Sequence, residues 1–277
     1  MQLIPLKLEM HGCATETEMN NNVLHTLNRG YTPINDLLCK HFGGKGKYSG
    51  TVSICGAGPS LRDTYLELEG SILACNSAIG FLLDKGIVPN FGMIWDASPV
   101  CEKFAVPHPD ITYLLGARCH PDVFKRLHGC KTIAWHAGGD HNILEFIQQN
   151  QIREPLINGG SAAVTRGLYL AFALGFRSFH LFGADSSYHE NDTHVNGSLV
   201  PEKDIMVHVG NHEGHPVFRT TPEMCAQVEE FKIIYPHFLA LGCSINVHGS
   251  GMLPYVYHTM KHSYVPFGGN HAATTCV

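Results

Sequence analysis

The chain has 277 residues, of which 44% are apolar and 16% charged, and its formal net charge is −5. This length and composition predict one main α/β core with appendages, and they exclude a disordered, coiled-coil or collagen-like chain. The negative charge, with no basic cluster in the sequence, argues against a nucleic-acid partner. The longest apolar run, around residues 167–176, is about half of what a bilayer-spanning helix needs, so no membrane span is expected.

The first 48 residues are polar and irregular. We expect them to form an N-terminal arm, residues 1–48, with short helices through residues 22–28 and 34–41, that covers part of the core. The start of the chain has no basic segment followed by an apolar stretch and a cleavage site, so secretion is not signalled. The ten cysteines are at least eleven residues apart and form no CxxC pair. These features predict a cytoplasmic location with free thiols.

A regular alternation begins at Thr51. Five apolar runs of strand length, each next to a segment with helical spacing, follow one another: TVSIC, SILAC, FGMIW, ITYLL and KTIAW. Strand and helix repeat at intervals of roughly 20 residues, which is typical of βαβ units. We therefore predict an α/β fold with a doubly wound, mostly parallel, Rossmann-like sheet and helices on both of its faces.

The second half of the chain continues this pattern around a polar interruption. The helix SAAVTRGLYLAFALG and the strand SFHLFGAD come first, and then residues 186–219 are rich in Gly, His and Asn. A long connection of this kind predicts a lid or binding loop. A final helix should start at an N-cap, Thr220 or Thr221, and Pro236 should kink it or end it early. The core domain is predicted to span residues 49–255, followed by a C-terminal tail, residues 256–277.

The turn after the first predicted strand is rich in glycine. It consists of Gly56, Ala57, Gly58, Pro59 and Ser60. In an open parallel sheet the ligand lies beyond the carboxyl ends of the strands, so this turn is a candidate anion site with Ser60 as a helix cap. The turn matches neither G-x-G-x-x-G nor the P-loop pattern. A purely structural strand-to-helix turn is the other interpretation.

Polar residues also follow three later strands. Asn76 follows the second strand, Asp96 the third, and Asp185 the strand SFHLFGAD. A single aspartate at such a point is often a helix cap. Two aspartates that converge on one crevice instead predict Mg²⁺ ligands that hold a polyphosphate, with catalytic roles for Asp96 and Asp185.

A second glycine-rich turn precedes the helix of residues 161–175. It consists of Asn158, Gly159, Gly160 and Ser161, and it offers backbone amides and one hydroxyl. Amides at a helix start attract anions. Two such helix starts that face one cleft predict a phosphorylated ligand.

Six of the 19 histidines fall within 36 residues. The spacing in His212-Glu213-Gly214-His215 is one residue too short for the zinc motif H-E-x-x-H. His208, His212 and His215 can still converge on a metal, but a polar lid that contacts substrate is the favoured interpretation. Within it, His215 is the candidate general acid or base.

Four segments together resemble one family. They are GAGPSL, ACNSAI, KGIVPNFGMIWDASP and NGGSAAVTRGLYLAFALGFRSFHLFGADSS, over about residues 50–250. They resemble the MptE-like 6-hydroxymethylpterin diphosphokinases, which are similar in layout to bacterial sialyltransferases that use CMP-sialic acid. The resemblance implies that the turn Gly56, Gly58, Pro59 and Ser60, together with Asn76, contacts a nucleotide. It places Asp96, Ser161 and Asp185 on the phosphate and acceptor side.

Two differences argue against sialyl transfer. The asparagine of the sialyltransferase turn is Ala57 here, and the catalytic histidine expected before the final helix falls near Arg219 or Thr220 rather than on His215. The MptE-like family also includes members linked to surface glycans and to phages, which points to a phage or prokaryotic source. Residues 186–219 are the part expected to select the acceptor.

The favoured function is diphosphate transfer from ATP, with Mg²⁺, to a hydroxymethyl group of a pterin-like acceptor. Asp96 and Asp185 would hold the metal, and Arg118 or Arg166 would balance negative charge. The alternatives are glycosyl transfer from a nucleotide sugar, with a lid histidine as base, and a nucleotide-binding protein without catalysis. The expected partners are small molecules, and a homo-oligomer is left open.

Overall fold

The computed structural model describes residues 14–38, 47–138, 141–197, 207–210 and 216–263. Its strands are β1 Thr51–Cys55, β2 Ser71–Cys75, β3 Phe91–Ile94, β4 Thr112–Gly116, β5 Lys131–Ala137, β6 Leu156–Ile157, β7 Ser178–Phe182, β8 Val207–Val209, β9 Phe218–Thr220 and β10 Ser244–Val247. Its α-helices are α1 Glu16–Arg29, α2 Leu61–Thr64, α3 Ala78–Asp84, α4 Pro121–Arg126, α5 His141–Gln149, α6 Ala163–Leu174, α7 Pro222–Ala240 and α8 Met252–Ser263. Short 3₁₀ helices span Ile34–Leu37, Tyr65–Glu67 and Pro99–Phe104.

Eight strands form one sheet in the order β10-β7-β1-β2-β3-β4-β5-β6. Every strand pairing within this sheet is parallel, which confirms the predicted fold class. The chain moves outward from β1 through β6 and then returns to the other side of β1 with β7. The strand order therefore reverses between β1 and β7, where open α/β sheets bind their ligands.

The sheet is covered on both faces by separate apolar clusters. Alternate residues of each strand point to opposite faces. Leu114 therefore belongs to the cluster that includes residues of α6, α7 and α8, whereas Tyr113 and Leu115 belong to the cluster that includes residues of α2, α3 and α4. Helix α6 is buried nearly all round rather than along one face. The reason is that α7 covers it from outside, where Phe238 contacts the rings of Tyr169 and Phe172.

The N-terminal helix α1 is longer than the predicted helix of residues 22–28. A capping box explains its earlier start: the Thr15 hydroxyl accepts the Glu18 amide, and the Glu18 carboxylate accepts the Thr15 amide. The Asn22 side chain donates to the carbonyl of Arg118 at 3.0 Å, and the Thr26 hydroxyl donates to that of Ala117 at 2.9 Å. Helix α1 thus lies over the loop after β4. The second predicted helix is a 3₁₀ turn, and most of its remainder lies outside the described residues.

Within the described residues, the polar segment 186–219 is more ordered than its lack of periodicity predicts. The strands β8 and β9 form an antiparallel hairpin. The amide of Val195 donates to the carbonyl of Ala57 at 2.7 Å, and Arg62 binds both the Val195 carbonyl and the Asp192 carboxylate. The segment is therefore fastened to the glycine-rich turn after β1.

Helix α7 begins as expected, because the Thr221 hydroxyl accepts the amide of Met224 at 3.3 Å. Pro236 does not end the helix, which continues to Ala240, so the prediction of an early end is wrong. The seven described cysteines form no disulfide bonds with one another. Across the described part of the chain, no helix is both long and apolar enough to cross a membrane.

Candidate functional site

A cleft of about 800 Å³ opens at the carboxyl edge of the sheet. Its lining includes Trp95, Lys103 and His194 together with eight of the residues singled out in the sequence: Gly56, Ala57, Gly58, Asn76, Asp96, Arg118, Ser161 and Asp185. The structure thus brings the start of the first glycine-rich turn, Ser161 of the second, the two aspartates and Asn76 to one cleft. The other predicted residues of the two turns do not line it: Pro59, Ser60, Asn158, Gly159 and Gly160. The roles of all these residues in ligand binding stay predictions.

The turn after β1 crosses the turn after β7 at very short range. The amide of Gly56 donates to the carbonyl of Phe182 at 2.8 Å, and that of Gly58 donates to the carbonyl of Gly183 at 2.9 Å. A Cβ atom on Gly56 would lie 2.4 Å from the Gly183 oxygen, and one on Gly58 would lie 2.7 Å from it. Glycine is therefore needed at both positions for the two strand ends to meet.

Ser60 does not cap helix α2, contrary to the prediction. Its amide and its hydroxyl both donate to the carboxylate of Asp185, at 2.7 Å and 2.5 Å, and no side-chain cap is formed. Ser60 and Asp185 are each only 4% exposed. Burial raises the pKa of Asp185 to about 6, although both hydrogen bonds from Ser60 act in the opposite direction. Asp185 therefore joins the ends of β1 and β7.

Asn76 lies at the end of β2 in the left-handed region, with φ of 49°. Asparagine tolerates this conformation better than most residues with a side chain. Its amide donates to the carbonyl of Met93 at 2.8 Å, and its side-chain oxygen accepts the amide of Trp95 at 3.2 Å. Asn76 thus holds the end of β3 and also lines the cleft.

The second glycine-rich turn has an anionic partner of its own. The carboxylate of Glu230 on α7 accepts the Ser161 amide at 2.8 Å and the Ser161 hydroxyl at 3.0 Å. The N-cap of α6 is Ala162, which has no side-chain cap. The sequence predicts that this turn offers its amides and hydroxyl to an anionic ligand, but in the structure Glu230 already occupies the Ser161 amide and hydroxyl. A phosphate that used these donors would have to displace Glu230.

Replacement of Glu230 by alanine should strengthen the binding of anionic ligands in this cleft. The change frees the Ser161 amide and hydroxyl and removes a like charge near the helix start. An effect of about 0.3–1 kcal/mol corresponds to roughly a twofold to fivefold decrease in Kd for ATP. Isothermal titration calorimetry measures it. Glu229→Ala is the matched control, because Glu229 pairs with Lys232 on the outer face of α7, and an equal effect of both variants would contradict the role of Glu230.

One end of the cleft is rich in aromatic and positive groups. The guanidinium carbons of Arg118 and Arg166 lie 4.2 Å and 4.7 Å from the ring centre of Trp95, which itself stacks on Trp135. Arg166 is only 7% exposed and donates to the carbonyl of Ile157 at 3.0 Å. Burial first, and the charge of Arg118 second, lower the pKa of Arg166 to about 10. Arg118 lines the cleft and Arg166 supports the wall behind it.

The donor set fits Mg²⁺ only in part. Magnesium needs carboxylate or phosphate oxygens that are open to it, and both oxygens of Asp185 accept hydrogen bonds from Ser60. Asp96 lines the cleft, with its Oδ1 accepting the amide of Ser98 at 2.9 Å. No group of three or more His, Cys, Asp or Glu side chains in the described ranges is arranged to hold a metal. Asp96 is the better candidate ligand, and Asp185 fits a structural role.

Of the three histidines predicted in the polar segment, only His208 belongs to the described residues, and it does not line the cleft. His208 is exposed on β8, whereas His212 and His215 lie outside the described residues. His194 from the same segment does line the cleft, and burial lowers the pKa of this histidine. Sequence reasoning missed His194, Lys103 and Trp95. Trp95 directly precedes Asp96 at the end of a predicted strand, and this position is the signal that could have identified it.

Comparisons with known proteins agree with this fold. The family model described as 6-hydroxymethylpterin diphosphokinase MptE-like matches residues 21–191, and no curated protein sequence matches the chain. The MAf glycosyltransferase from Magnetospirillum magneticum AMB-1 has a similar structure, with a TM-score of 0.58, 18% identity, and coverage of 85% of this chain but 38% of that protein. This likeness shows a shared fold, and the chain spans well under half of the glycosyltransferase.

A second solved structure is the sialyltransferase CstII from Campylobacter jejuni in complex with a substrate analogue, cytidine-5'-monophosphate. Its TM-score is 0.29 at 14% identity, with coverage of 71% of this chain and 79% of that one.

Proposed function

Because this chain belongs to the 6-hydroxymethylpterin diphosphokinase MptE-like family, we propose that it transfers diphosphate from ATP to the hydroxymethyl group of a pterin-like acceptor. The family name indicates a transferase. The observation that supports the proposal most is the cleft of about 800 Å³ at the reversal of strand order, where Gly56, Gly58, Asp96 and Ser161 meet.

The cleft suits a nucleoside triphosphate. The turn after β1 lines the cleft with three small residues, Gly56, Ala57 and Gly58, which leave room for the phosphates beside it. Ser161 offers an amide and a hydroxyl once Glu230 is displaced. Arg118 and Lys103 line the same cleft, and their positive charges attract the negatively charged phosphates. We place the triphosphate between the two glycine-rich turns, with its reacting phosphorus towards Arg118.

The reaction needs alignment and charge neutralisation. The acceptor oxygen attacks the β-phosphorus, the bond from that phosphorus to the oxygen of the α-phosphate breaks, and AMP leaves with the bonding electrons. Arg118 is placed to stabilise the charge that develops on the transferred group. A Mg²⁺ ion on the triphosphate would add Lewis-acid stabilisation, with Asp96 as its proposed protein ligand.

An assay of product formation tests this proposal. With ATP and 6-hydroxymethylpterin, AMP and the pterin diphosphate should form in equal amounts, and AMP should not form without the pterin. Arg118→Ala should lower kcat by about 100-fold. Arg126→Ala is the matched control, because Arg126 is half-exposed and pairs with Glu102.

Two results would contradict diphosphate transfer. Release of CMP or UDP from a nucleotide sugar, with none of AMP from ATP, would favour glycosyl transfer. Saturable nucleotide binding without turnover of any donor would favour a binding protein that has no catalytic activity.

A further inference from the structure

A second cavity, which we call the side pocket, opens beside α3 with a volume of about 290 Å³. Its lining divides into two sets of four residues. The first set also lines the large cleft, so the two spaces adjoin: Ser77, Lys103, Phe104 and His194. The second set lines only the side pocket: Gly80, Val106, Asn196 and Gly197. The proposed function leaves this pocket without a role.

The side pocket is large enough for two fused rings. Its volume of about 290 Å³ is nearly twice that of a cavity of about 150 Å³ that binds benzene in another protein. Two glycines in the lining keep the space open, and a Cβ atom on Gly197 would meet no other atom within 4 Å. Phe104 offers an aromatic ring as a packing partner. A flat bicyclic molecule therefore fits this space.

A buried hydroxyl at the border of the two spaces has no partner. Ser77 directly precedes α3 and is 9% exposed. Its Oγ atom is buried, forms no hydrogen bond within the described residues and does not cap α3. Most buried hydroxyls in folded proteins are hydrogen-bonded, because the loss of water is otherwise costly. A ligand with a polar atom at its edge would supply the missing partner.

The charges in the side pocket favour a neutral or anionic ligand. Lys103 is positive, and none of the described lining residues is acidic. Burial, and then the charge of Lys103, lower the pKa of His194, so its ring is neutral at pH 7. One ring nitrogen lies 2.9 Å from the hydroxyl of Thr193, and the other donates or accepts according to the tautomer. The side chain of Asn196 offers both a donor and an acceptor.

The polar segment 186–219 supplies one wall of the side pocket, and this wall is fixed in place. His194, Asn196 and Gly197 belong to that segment. Arg62 donates to the carbonyl of His194 at 3.1 Å and to that of Val195 at 2.8 Å. The sequence predicts that this segment selects the acceptor. In the side pocket, three of its residues are placed to contact one.

We propose that the side pocket binds the ring of the acceptor, a flat nitrogen heterocycle without positive charge, and that the hydroxyl of Ser77 forms a hydrogen bond with it. This inference rests on the proposed function and gives its acceptor a binding site. Because four residues border both spaces, a hydroxymethyl group on the bound ring can extend into the cleft beside the donor phosphates. The adenine of ATP has similar chemistry, so the experiment has to separate the two rings.

Isothermal titration calorimetry tests the role of Ser77. 6-Hydroxymethylpterin is titrated into the full chain, alone and with α,β-methylene-ATP, whose α–β linkage cannot be broken by the transfer. Ser77→Ala removes a hydroxyl that has no partner in the protein, so the melting temperature should not fall, whereas the Kd for the pterin should rise about fivefold. Ser244→Ala is the matched control, because Ser244 is exposed at the start of β10, on the opposite edge of the sheet.

A variant that fills the side pocket separates the pterin from adenine. A Cβ atom on Gly80 would lie 3.6 Å from Cγ2 of Val106, another lining residue, so Gly80→Leu extends into the pocket. Binding of 6-hydroxymethylpterin should be lost, and the Kd values for ATP and adenosine should stay unchanged. Val106→Phe fills the pocket from another wall and replaces the first variant if that one does not fold.

The outcomes distinguish this inference from the proposed function. If ATP yields no AMP but pterin binding is weakened by Ser77→Ala and lost in the filled variant, diphosphate transfer fails and the pocket assignment stands. If AMP forms with the pterin and a folded filled variant binds the pterin normally, the transfer stands and the pocket assignment is overturned. Loss of ATP and adenosine binding in the filled variant, or no pterin binding to the unmodified protein, would also overturn it.

Discussion

The Gly56→Ala variant should lose about 3 kcal/mol of stability or fail to fold. Its Cβ atom would lie 2.3 Å from Cγ2 of Val164 and 2.4 Å from the carbonyl oxygen of Gly183. The Val164 side chain is packed in the core, and the Gly183 oxygen belongs to a backbone that cannot turn away easily. The Gly56 amide itself is bonded to the Phe182 carbonyl. The change therefore separates the ends of β1 and β7.

Thermal and urea unfolding measure this effect, and Gly80→Ala is the matched control. Gly80 lies within α3, and a Cβ atom there would make an ordinary contact of 3.6 Å with Val106. Alanine is the better helix former, so this control should be unchanged or up to about 1 kcal/mol more stable. Equal stability of the two variants would contradict the close crossing of β1 and β7.

The second large effect concerns Asp185 and pH. Burial raises the pKa of this carboxyl in the folded protein to about 6, from an ordinary value of 3.8. The folded state therefore binds the proton more tightly than the unfolded state. The stability associated with the neutral form is present below pH 3.8 and is lost as pH rises through 6. The difference of about two pKa units corresponds to about 3 kcal/mol.

Asp185→Asn removes this titration. Between pH 4 and pH 7 the free energy of unfolding of the unmodified protein should fall by about 3 kcal/mol relative to that of the variant. Urea unfolding across this pH range measures it, with Asp84→Asn at an exposed position of α3 as the control. Parallel pH curves for the unmodified protein and Asp185→Asn would contradict a buried carboxyl with a raised pKa.

Strand periodicity was enough to locate one edge of the cleft. Parallel strands end at the same edge of a sheet, so the polar residues after successive apolar runs had to lie near one another. Gly56, Asn76, Asp96 and Asp185 do line one cleft. Their common place at the carboxyl edge of the sheet therefore follows from the strand pattern alone, which can be recognised in the sequence.

The hydrogen-bond partners at this edge could not be predicted in the same way. Rules based on the local sequence assign Ser60 and Ser161 to the start of the nearest helix, where serine is a common cap. Their hydroxyls instead bind Asp185, 125 residues away, and Glu230, 69 residues away. A hydroxyl that donates to a carboxylate forms a charge-assisted hydrogen bond, which is stronger than the bond it accepts from an amide as a helix cap. Only the folded chain shows which carboxylates are near.

The hydrogen-bonded position of His136 could not be predicted from the sequence for a different reason. It lies inside the run KTIAWHA, where a strand pattern indicates a core residue. Its neighbours Tyr31 and Glu154 are 105 and 18 residues away in the sequence, and Tyr31 reaches it from the N-terminal arm. No spacing rule connects three residues of this kind.

Tryptophan fluorescence tests nucleotide binding in the cleft most directly. The chain has two tryptophans, of which Trp95 lines the cleft and Trp135 is fully buried beneath it. ATP should change the emission saturably, and the change should vanish in Trp95→Phe while ATP at 100 times its Kd still stabilises that variant by about 2.7 kcal/mol. Unchanged emission and melting temperature of the folded protein with ATP, GTP, CTP and CMP would contradict a nucleotide site between the two glycine-rich turns.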